Sequence, residues 1–226
     1  MSRRRLLLVR HGVTEWVREG RFQGHRDPPL DADGREQAAL VAARLAADDA
    51  LRPARVVTST LSRARETAQA IATSSGATLR EDDRLMEIGQ GEWEGRTHDE
   101  LAATDGERYA AWRRHSAHQP PGAEPMDAVR TRVMAAISDL LGGHLWPACI
   151  VSHGGALRLL AEGLLGLEPA RAWALDVDNA SVSALVEIHG GDESATWRIE
   201  CWNDSLHLLG RQPTHLDEAE GQPLAL

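Results

Sequence analysis

Leu6-Leu7-Leu8-Val9-Arg10-His11-Gly12 is the stretch from which the rest of the chain can be read. Four apolar residues in succession, without alternation, mark a short strand buried on both faces, the habit of a parallel sheet. The run then stops on an arginine, a histidine and a glycine. Open α/β sheets build their sites at the carboxyl ends of strands, so this ending delivers a cation and a nucleophilic ring to a sheet edge. Gly12 allows close backbone approach beside them. Taken alone, the turn reads equally well as a strand end with a solvated Arg and His.

Working outward, the spacing of Leu40, Val41, Ala43, Leu45 and Ala46 predicts a helix over residues 31–49. Pro53 breaks it, residues 54–58 read as a second strand, and residues 62–73 as an Ala-rich helix. This is the βαβ rhythm of a parallel or mixed sheet. Residues 79–95, with Gly89, Gly91 and Gly95, read as a loop, and residues 97–115 as a polar helix or helix pair ended by Gln119-Pro120-Pro121-Gly122. A longer helix is expected over 127–144, a third buried strand over 148–151 and a helix over 156–165. Two late strands follow over 182–188 and 197–202, with Gly190-Gly191-Asp192 in the turn between them. With no repeat and no interdomain linker, residues 1–210 read as one domain. Residues 97–122 read as a small cap insert and 211–226 as a flexible tail.

The chain has 226 residues with 42% hydrophobic and 26% charged side chains, ordinary globular usage that excludes wholesale disorder. Seven of its nine Phe, Trp and Tyr rings are Trp, so the core must be largely aliphatic. All 25 cations are Arg, against 34 acidic residues, and the formal charge of −9 argues against nucleic-acid or anionic-membrane partners. It leaves room for a small anionic substrate, because clustered arginines can make a positive pocket in an acidic protein. Cys149 and Cys201 fit no disulfide framework and read as buried thiols. The basic start, Arg3-Arg4-Arg5, is followed by only four apolar residues, too few for a signal peptide or a membrane span. The expectation is a soluble, cytoplasmic protein, with a homodimer left open.

Two further strand ends repeat the opening pattern. Ser152-His153-Gly154-Gly155 follows the third buried strand, and Ser59 to Arg63 follows the second, putting Arg63 at a helix start. Helix N-termini attract anions through free N–H groups and the helix dipole. If the strands are neighbours, Arg10, Arg63, His11 and His153 meet in what amounts to a phosphate pocket.

In this setting the chain resembles the histidine phosphatase superfamily, also described as phosphoglycerate mutase-like. The resemblance rests on an ordered set: Arg10-His11-Gly12-x-Thr14, Gly20-Arg21-x-Gln23-Gly24, Asp27-x-Pro29-Leu30 and Ser59-x-Leu61-x-Arg63-Ala64-x-x-Thr67-Ala68. It continues with Glu87 before Gly91-x-Trp93-Glu94-Gly95, then Ser152-His153-Gly154-Gly155 and Asn179-Ala180-Ser181. The resemblance implies a three-layer α/β/α sandwich with a mixed, mostly parallel central sheet and a small helical cap. It also implies a phosphomonoester hydrolase acting on a small phosphorylated metabolite, without metal or cofactor. His11 would hold the phosphoryl group as a phosphohistidine. Arg10, Arg63 and His153 would bind the phosphoryl oxygens, and Glu87 would protonate the leaving alkoxide. Gly12, Thr14, Gln23, Gly24 and Gly154 would complete the substrate site. Arg suits the role because its planar fork binds oxyanions bidentately.

One position departs from the family: six residues after His11, where Asn is usual, the chain has Val17. Either Gln23 or Thr14 takes over that hydrogen bond, or phosphate binding is weaker. Val17 is also the one feature favouring a catalytically weak phosphate sensor or protein-binding module. A cofactor-dependent mutase is the alternative within the family. Mutases carry a longer insert between the catalytic Glu and the second His, whereas Glu87 to His153 is compact, and Trp93-Glu94-Gly95-x-Thr97-His98 resembles the phosphatase branch. The ending Trp197-Arg198-Ile199 to Trp202-Asn203 distantly resembles sugar-phosphoglycerate phosphatases. His115 and His118 lack the carboxylate partners of a metal site. Trp197 and Trp202 read as packing, while Trp93 and Trp112 could either pack or line a sugar-binding mouth.

Overall fold

The structure, a computed structural model, describes residues 4–114, 119–189 and 195–209. Its centre is one six-stranded sheet built from β1 (Arg5–Arg10), β2 (Arg55–Thr58), β3 (Thr78–Glu81), β4 (Ala148–Ser152), β5 (Val182–His189) and β6 (Ala195–Asp204). The strand order is β3-β2-β4-β1-β5-β6. The β2·β3, β2·β4 and β1·β4 pairs are parallel, and β1·β5 and β5·β6 are antiparallel. The sheet is therefore mixed and mostly parallel.

The apolar run of β1 is buried on both sides because each face meets a helical layer. Leu6 and Leu8 pack with Ile150 and Leu185 against α6 (Met126–Leu141) and α7 (Gly154–Leu165). Leu7 and Val9 point the other way, with Cys149 and Val151, onto α2 (Ala32–Ala47) and α3 (Ser62–Ser75). Alternation along a strand assigns successive side chains to opposite layers. Each buried leucine contributes about 1.5–3 kcal/mol of transfer free energy.

A third cluster sits apart from these two. Phe22, Trp93, Leu101, Tyr109 and Trp112 form it beneath α4 (His98–Thr104) and α5 (Gly106–Arg114). Thr97 and Glu100 close a capping box at the start of α4, satisfying two otherwise free N–H groups. The expected polar helix or helix pair is thus a pair, divided at Asp105.

The departures from expectation have physical reasons. β3 overlaps the start of the stretch read as loop, 79–95, because all four of its residues are exposed and a sheet-edge strand needs no apolar pattern. The one-turn α1 (Glu15–Arg18) is too short for periodicity to reveal; the Thr14 hydroxyl caps it by accepting the Val17 N–H. α7 starts at Gly154, two residues earlier than expected. Cys149 is buried, but Cys201 is only half-buried. Trp93 and Trp112 are 1% and 2% exposed, so both are packing residues rather than the lining of a mouth. Trp197 and Trp202 pack against the first core cluster, as expected. The turn at 190–192, the pair His115 and His118, and the tail 211–226 lie outside the described residues. Among the described residues no helix is long and apolar enough to cross a membrane.

Candidate active site

Three strand ends meet at the carboxyl edge of the parallel strands. Arg10 is level with Ser152, so the residues after them, His11 and His153, leave the sheet side by side. The His11 N–H donates to Ser152 O at 3.0 Å, and the two rings lie 5.1 Å apart between centroids, tilted by 57°. β2 ends in step: Thr58 is level with Val151, and α3 follows with Arg63 in its first turn.

Both arginines are buried, and each is held by backbone carbonyls. Arg10 Nη1 donates to Val177 O at 2.8 Å. Arg63 donates through Nη1 to Arg26 O at 2.8 Å and through Nη2 to Gly24 O at 3.0 Å. Burial pushes the Arg63 guanidinium down to about 10, against the attraction of Glu87 and Asp27, and pushes Arg10 down as well. Both remain cations at neutral pH. The Nε of Arg10, the Nε of Arg63 and the Nδ1 of His153 are buried without a hydrogen-bond partner.

The histidines sit in the field of those cations. Burial, then Arg63 and Arg10, hold His11 well below its ordinary range. Burial, Arg63, His11, Arg10 and Arg132 do the same to His153. His11 Nδ1 lies 2.7 Å from Gly12 O. A carbonyl only accepts, so the hydrogen is on Nδ1 and the lone pair on Nε2. His11 is therefore a neutral ring with a defined nucleophilic atom.

Glu87 is fixed at the head of α7. Its Oε1 accepts from Ile88 N–H at 2.9 Å and Ala156 N–H at 3.0 Å, and its Oε2 from Gly155 N–H at 3.1 Å. The helix dipole adds to this placement. Gly155 is required here, since a Cβ would stand 2.8 Å from Glu87 Oε1. Gly154 lies between His153 and this pair of N–H groups as the first residue of α7.

The remaining expected residues gather on the other side. The Thr14 hydroxyl donates to Gln23 Oε1 at 3.0 Å, and both residues are buried. Gly24 adopts a φ of 49° and turns its carbonyl to Arg63. Gly12 packs so tightly that a Cβ would stand 2.4 Å from Gly34 O. Its N–H donates to Thr67 Oγ1 at 3.1 Å.

Comparison with known proteins agrees with this arrangement. The model of the histidine phosphatase superfamily (branch 1) matches residues 6–205. The chain belongs to this superfamily. A glucosyl-3-phosphoglycerate phosphatase of Mycolicibacterium vanbaalenii is 36% identical over 228 residues, covering 92% of this chain and 98% of that protein. A "Probable phosphoglycerate mutase GpmB" of Salmonella paratyphi C is 35% identical over 213 residues, covering 89% and 93%. The solved structure of a mycobacterial glucosyl-3-phosphoglycerate phosphatase complexed with VO3 superimposes with a TM-score of 0.79 at 34% identity, covering 89% of this chain and all of that one. This histidine phosphatase is thus an enzyme of the phosphatase kind, acting on a small phosphorylated metabolite.

Several residues of the site were given no role from the sequence, although Asn179 and Ala180 stood in the ordered set. Arg158, on the first turns of α7, donates through Nε to Leu175 O at 2.7 Å and lies over the Trp173 ring at 5.6 Å. Burial, with Arg10 nearby, pushes it down to about 10. The signal was an arginine inside the otherwise apolar run Ala156–Leu160. Asn179 Nδ2 donates to His11 O at 3.0 Å, and Ala180 N–H donates to Arg10 O at 3.0 Å, so the strand-end turn is gripped from the chain before β5. Arg132 and His25 hold the Glu87 carbonyl at 2.9 and 2.8 Å. Among the described residues no three His, Cys, Asp or Glu side chains are grouped to hold a metal ion.

The lowered histidines set a sign for stability against pH. In the unfolded chain both titrate near about 6.5, whereas the folded protein keeps them neutral well below that value. Unfolding therefore takes up protons below pH ~6.5, and stability falls as pH falls. The two together steepen the slope by up to about 2.7 kcal/mol per pH unit. Urea melts between pH 7 and 5 should show this extra slope, and it should vanish in a His11→Asn/His153→Asn variant.

Proposed function

We propose that the chain hydrolyses phosphomonoesters through a phosphohistidine on His11. The observation that carries this reading is the set of buried polar atoms without a partner among the described residues, the donors Arg10 Nε and Arg63 Nε and the ring atom His153 Nδ1, beside a neutral histidine whose charge both arginines oppose. Buried donors without acceptors are costly, and a phosphoryl dianion supplies acceptors to all of them. His11 Nε2 attacks phosphorus, the P–O bond to the leaving group breaks, and Glu87 gives that oxygen its proton. Water then attacks the phosphohistidine, Glu87 takes a proton back, and His11 leaves as the neutral ring. Arg10, Arg63 and His153 hold the charge on the equatorial oxygens throughout, which is most of what phosphoryl transfer requires.

Gln23, rather than Thr14, fits the place of the missing Asn at Val17. Thr14 spends its hydroxyl hydrogen on Gln23 Oε1, so the NH2 end of Gln23 is the donor left for phosphate. Gly12, Gly24 and Gly154 let the backbone close around the group. On this reading the enzyme works in the cytoplasm without a metal, since two guanidinium groups and the α7 N-terminus supply the charge a cation would otherwise bring. Activity should survive EDTA, and vanadate should inhibit strongly; loss on chelation with recovery on added Mg²⁺ would reverse this part.

The roles of His11 and Glu87 separate experimentally. His11→Ala should abolish turnover, and acid-labile, base-stable phosphate should be trapped on the wild type. Glu87→Gln should slow alkyl phosphates by ~10²–10⁴-fold yet spare nitrophenyl phosphate, whose leaving group needs no proton. Equal losses on both substrates would show that Glu87 serves another role.

The substrate class follows from a cavity of about 560 Å³ lined by Trp16, Arg26, Asp27, Pro28, Pro29, Glu94 and Gly95. It borders the phosphate cradle, because Arg63 holds the carbonyls of Gly24 and Arg26, and Asp27 and Glu94 act on its charge. An indole face with carboxylates and a guanidinium suits a polyhydroxylated ring bearing an acid group. The likeness to glucosyl-3-phosphoglycerate phosphatases points the same way, so a sugar-bearing phosphoglycerate is the substrate we favour. Within the cap, α4 and α5 lie over the aromatic cluster that holds Phe22, next to Gln23, and would bound the entrance. Trp16→Ala should raise KM for such a substrate about tenfold or more in a panel assay, leaving nitrophenyl phosphate unchanged.

A further inference from the structure

Ser59 leaves β2 as His153 leaves β4, and its N–H donates to Val151 O at 3.1 Å. The side chain is fully buried, with Oγ 2.8 Å from His153 Nε2. Oγ also accepts the Leu61 N–H at 3.2 Å. A hydroxyl has one hydrogen and two lone pairs, and Leu61 uses one lone pair. A neutral imidazole has one N–H, so only two arrangements are open at the Ser59–His153 contact.

In the first, His153 carries its hydrogen on Nε2 and donates to Ser59. The Ser59 hydrogen would then lack the acceptor nearest to it, inside a fully buried pocket. His153 Nδ1, also buried and without a protein partner, would turn a bare lone pair toward an incoming oxyanion. In the second, the Ser59 hydroxyl donates to Nε2, and the ring hydrogen sits on Nδ1. Both serine groups are then satisfied, and Nδ1 becomes a donor whose missing acceptor is the phosphoryl oxygen. A buried unsatisfied donor or acceptor costs far more than a made bond returns, so the second arrangement prevails.

We propose that Ser59 is a positioning residue that fixes the tautomer of His153, placing the hydrogen on Nδ1 where it meets the phosphoryl group. The proposal rests on the phosphatase reading for the use of that N–H, but the tautomer itself is a property of the free enzyme. The electrostatic setting makes the choice matter. Arg63 and Arg10 help keep His153 neutral, so the ring cannot donate from both nitrogens at once. Among the described residues, no other side chain hydrogen-bonds to His153 Nε2.

The test is nitrogen-15 NMR of the His153 imidazole in the intact free protein, where the two tautomers give distinct Nδ1 and Nε2 shifts. The wild type should show hydrogen on Nδ1. Ser59→Ala, which removes the donor and adds no bulk, should move the ring toward the Nε2 form or a mixture. Wild-type hydrogen on Nε2, or an unchanged tautomer in Ser59→Ala, overturns the proposal whatever the activity proves to be. In parallel, Ser59→Ala should weaken vanadate inhibition and lower kcat/KM by about 10–100-fold, the worth of one hydrogen bond to a charged group. In a His153→Ala background the same substitution should cost nothing further, because the effect runs through that ring. An additive loss in the double variant would mean that Ser59 acts only through the fold. Ser59→Thr, which restores the hydroxyl, should return the Nδ1 form; a folded Ser59→Thr with the alanine variant's tautomer would also count against the proposal.

Discussion

β1 and β4 run parallel with Arg10 level with Ser152, and nearly everything at the site depends on that register. One residue past each strand a histidine leaves the sheet, and the ladder is continued by the His11 N–H on Ser152 O. A slip of one residue would send Leu6 and Leu8 into the layer that holds Leu7 and Val9, and would separate the two rings. The register is pinned because both faces are buried: Leu8 is level with Ile150, and Leu7 with Cys149. The aliphatic core is thus what sets the distance between His11 and His153.

That core must also carry charge. Arg10, Arg63 and Arg158 are each almost wholly buried, and each donates to a backbone carbonyl. Isolated buried cations are strongly disfavoured, and here backbone carbonyls offset part of the cost. The acceptors are chosen by position: Leu175 O and Val177 O lie on the segment that leads to Asn179, which in turn grips His11 O. Arg158 and Arg10 therefore tie the β5 approach to the strand-end turn. Among the described residues the Nε groups of Arg10 and Arg63 remain without a partner.

Features that depend on uninterrupted patterns were legible in the sequence. The apolar runs of β1 and β4, the helical spacing in α2 and α6, and the ordered set from Arg10 to Ser181 led to the fold and pointed to Arg10, His11, Arg63, Glu87 and His153, which the structure gathers at the ends of β1, β2 and β4. Features made by tertiary context were not. β3 has four exposed residues and borrows its conformation from β2, so its own sequence says nothing. Trp93 and Trp112 could not be told apart from a sugar mouth until Phe22 was seen at 5.4 and 5.1 Å from them, while Trp16, unremarked in the sequence, lines the cavity. Ser59 was visible as a letter in a motif, but its partner lies 94 residues away.

The start of α7 gathers the two halves of the chemistry onto one rigid element. His153 caps the helix, while the next N–H groups but one, from Gly155 and Ala156, seize the Glu87 carboxylate. A side chain at 155 would collide with Glu87 Oε1 and Ile88, so the second glycine is a steric condition for the Glu87 carboxylate to reach the helix at all. His153 and the Glu87 carboxylate consequently share one frame. A displacement of α7 moves both together, and the geometry between them is preserved. The helix itself is held from below by Leu157, Leu159 and Leu160 in the same core that fixes β1 and β4. The register and the placement of His11, His153 and Glu87 are in this way set by a single packed layer.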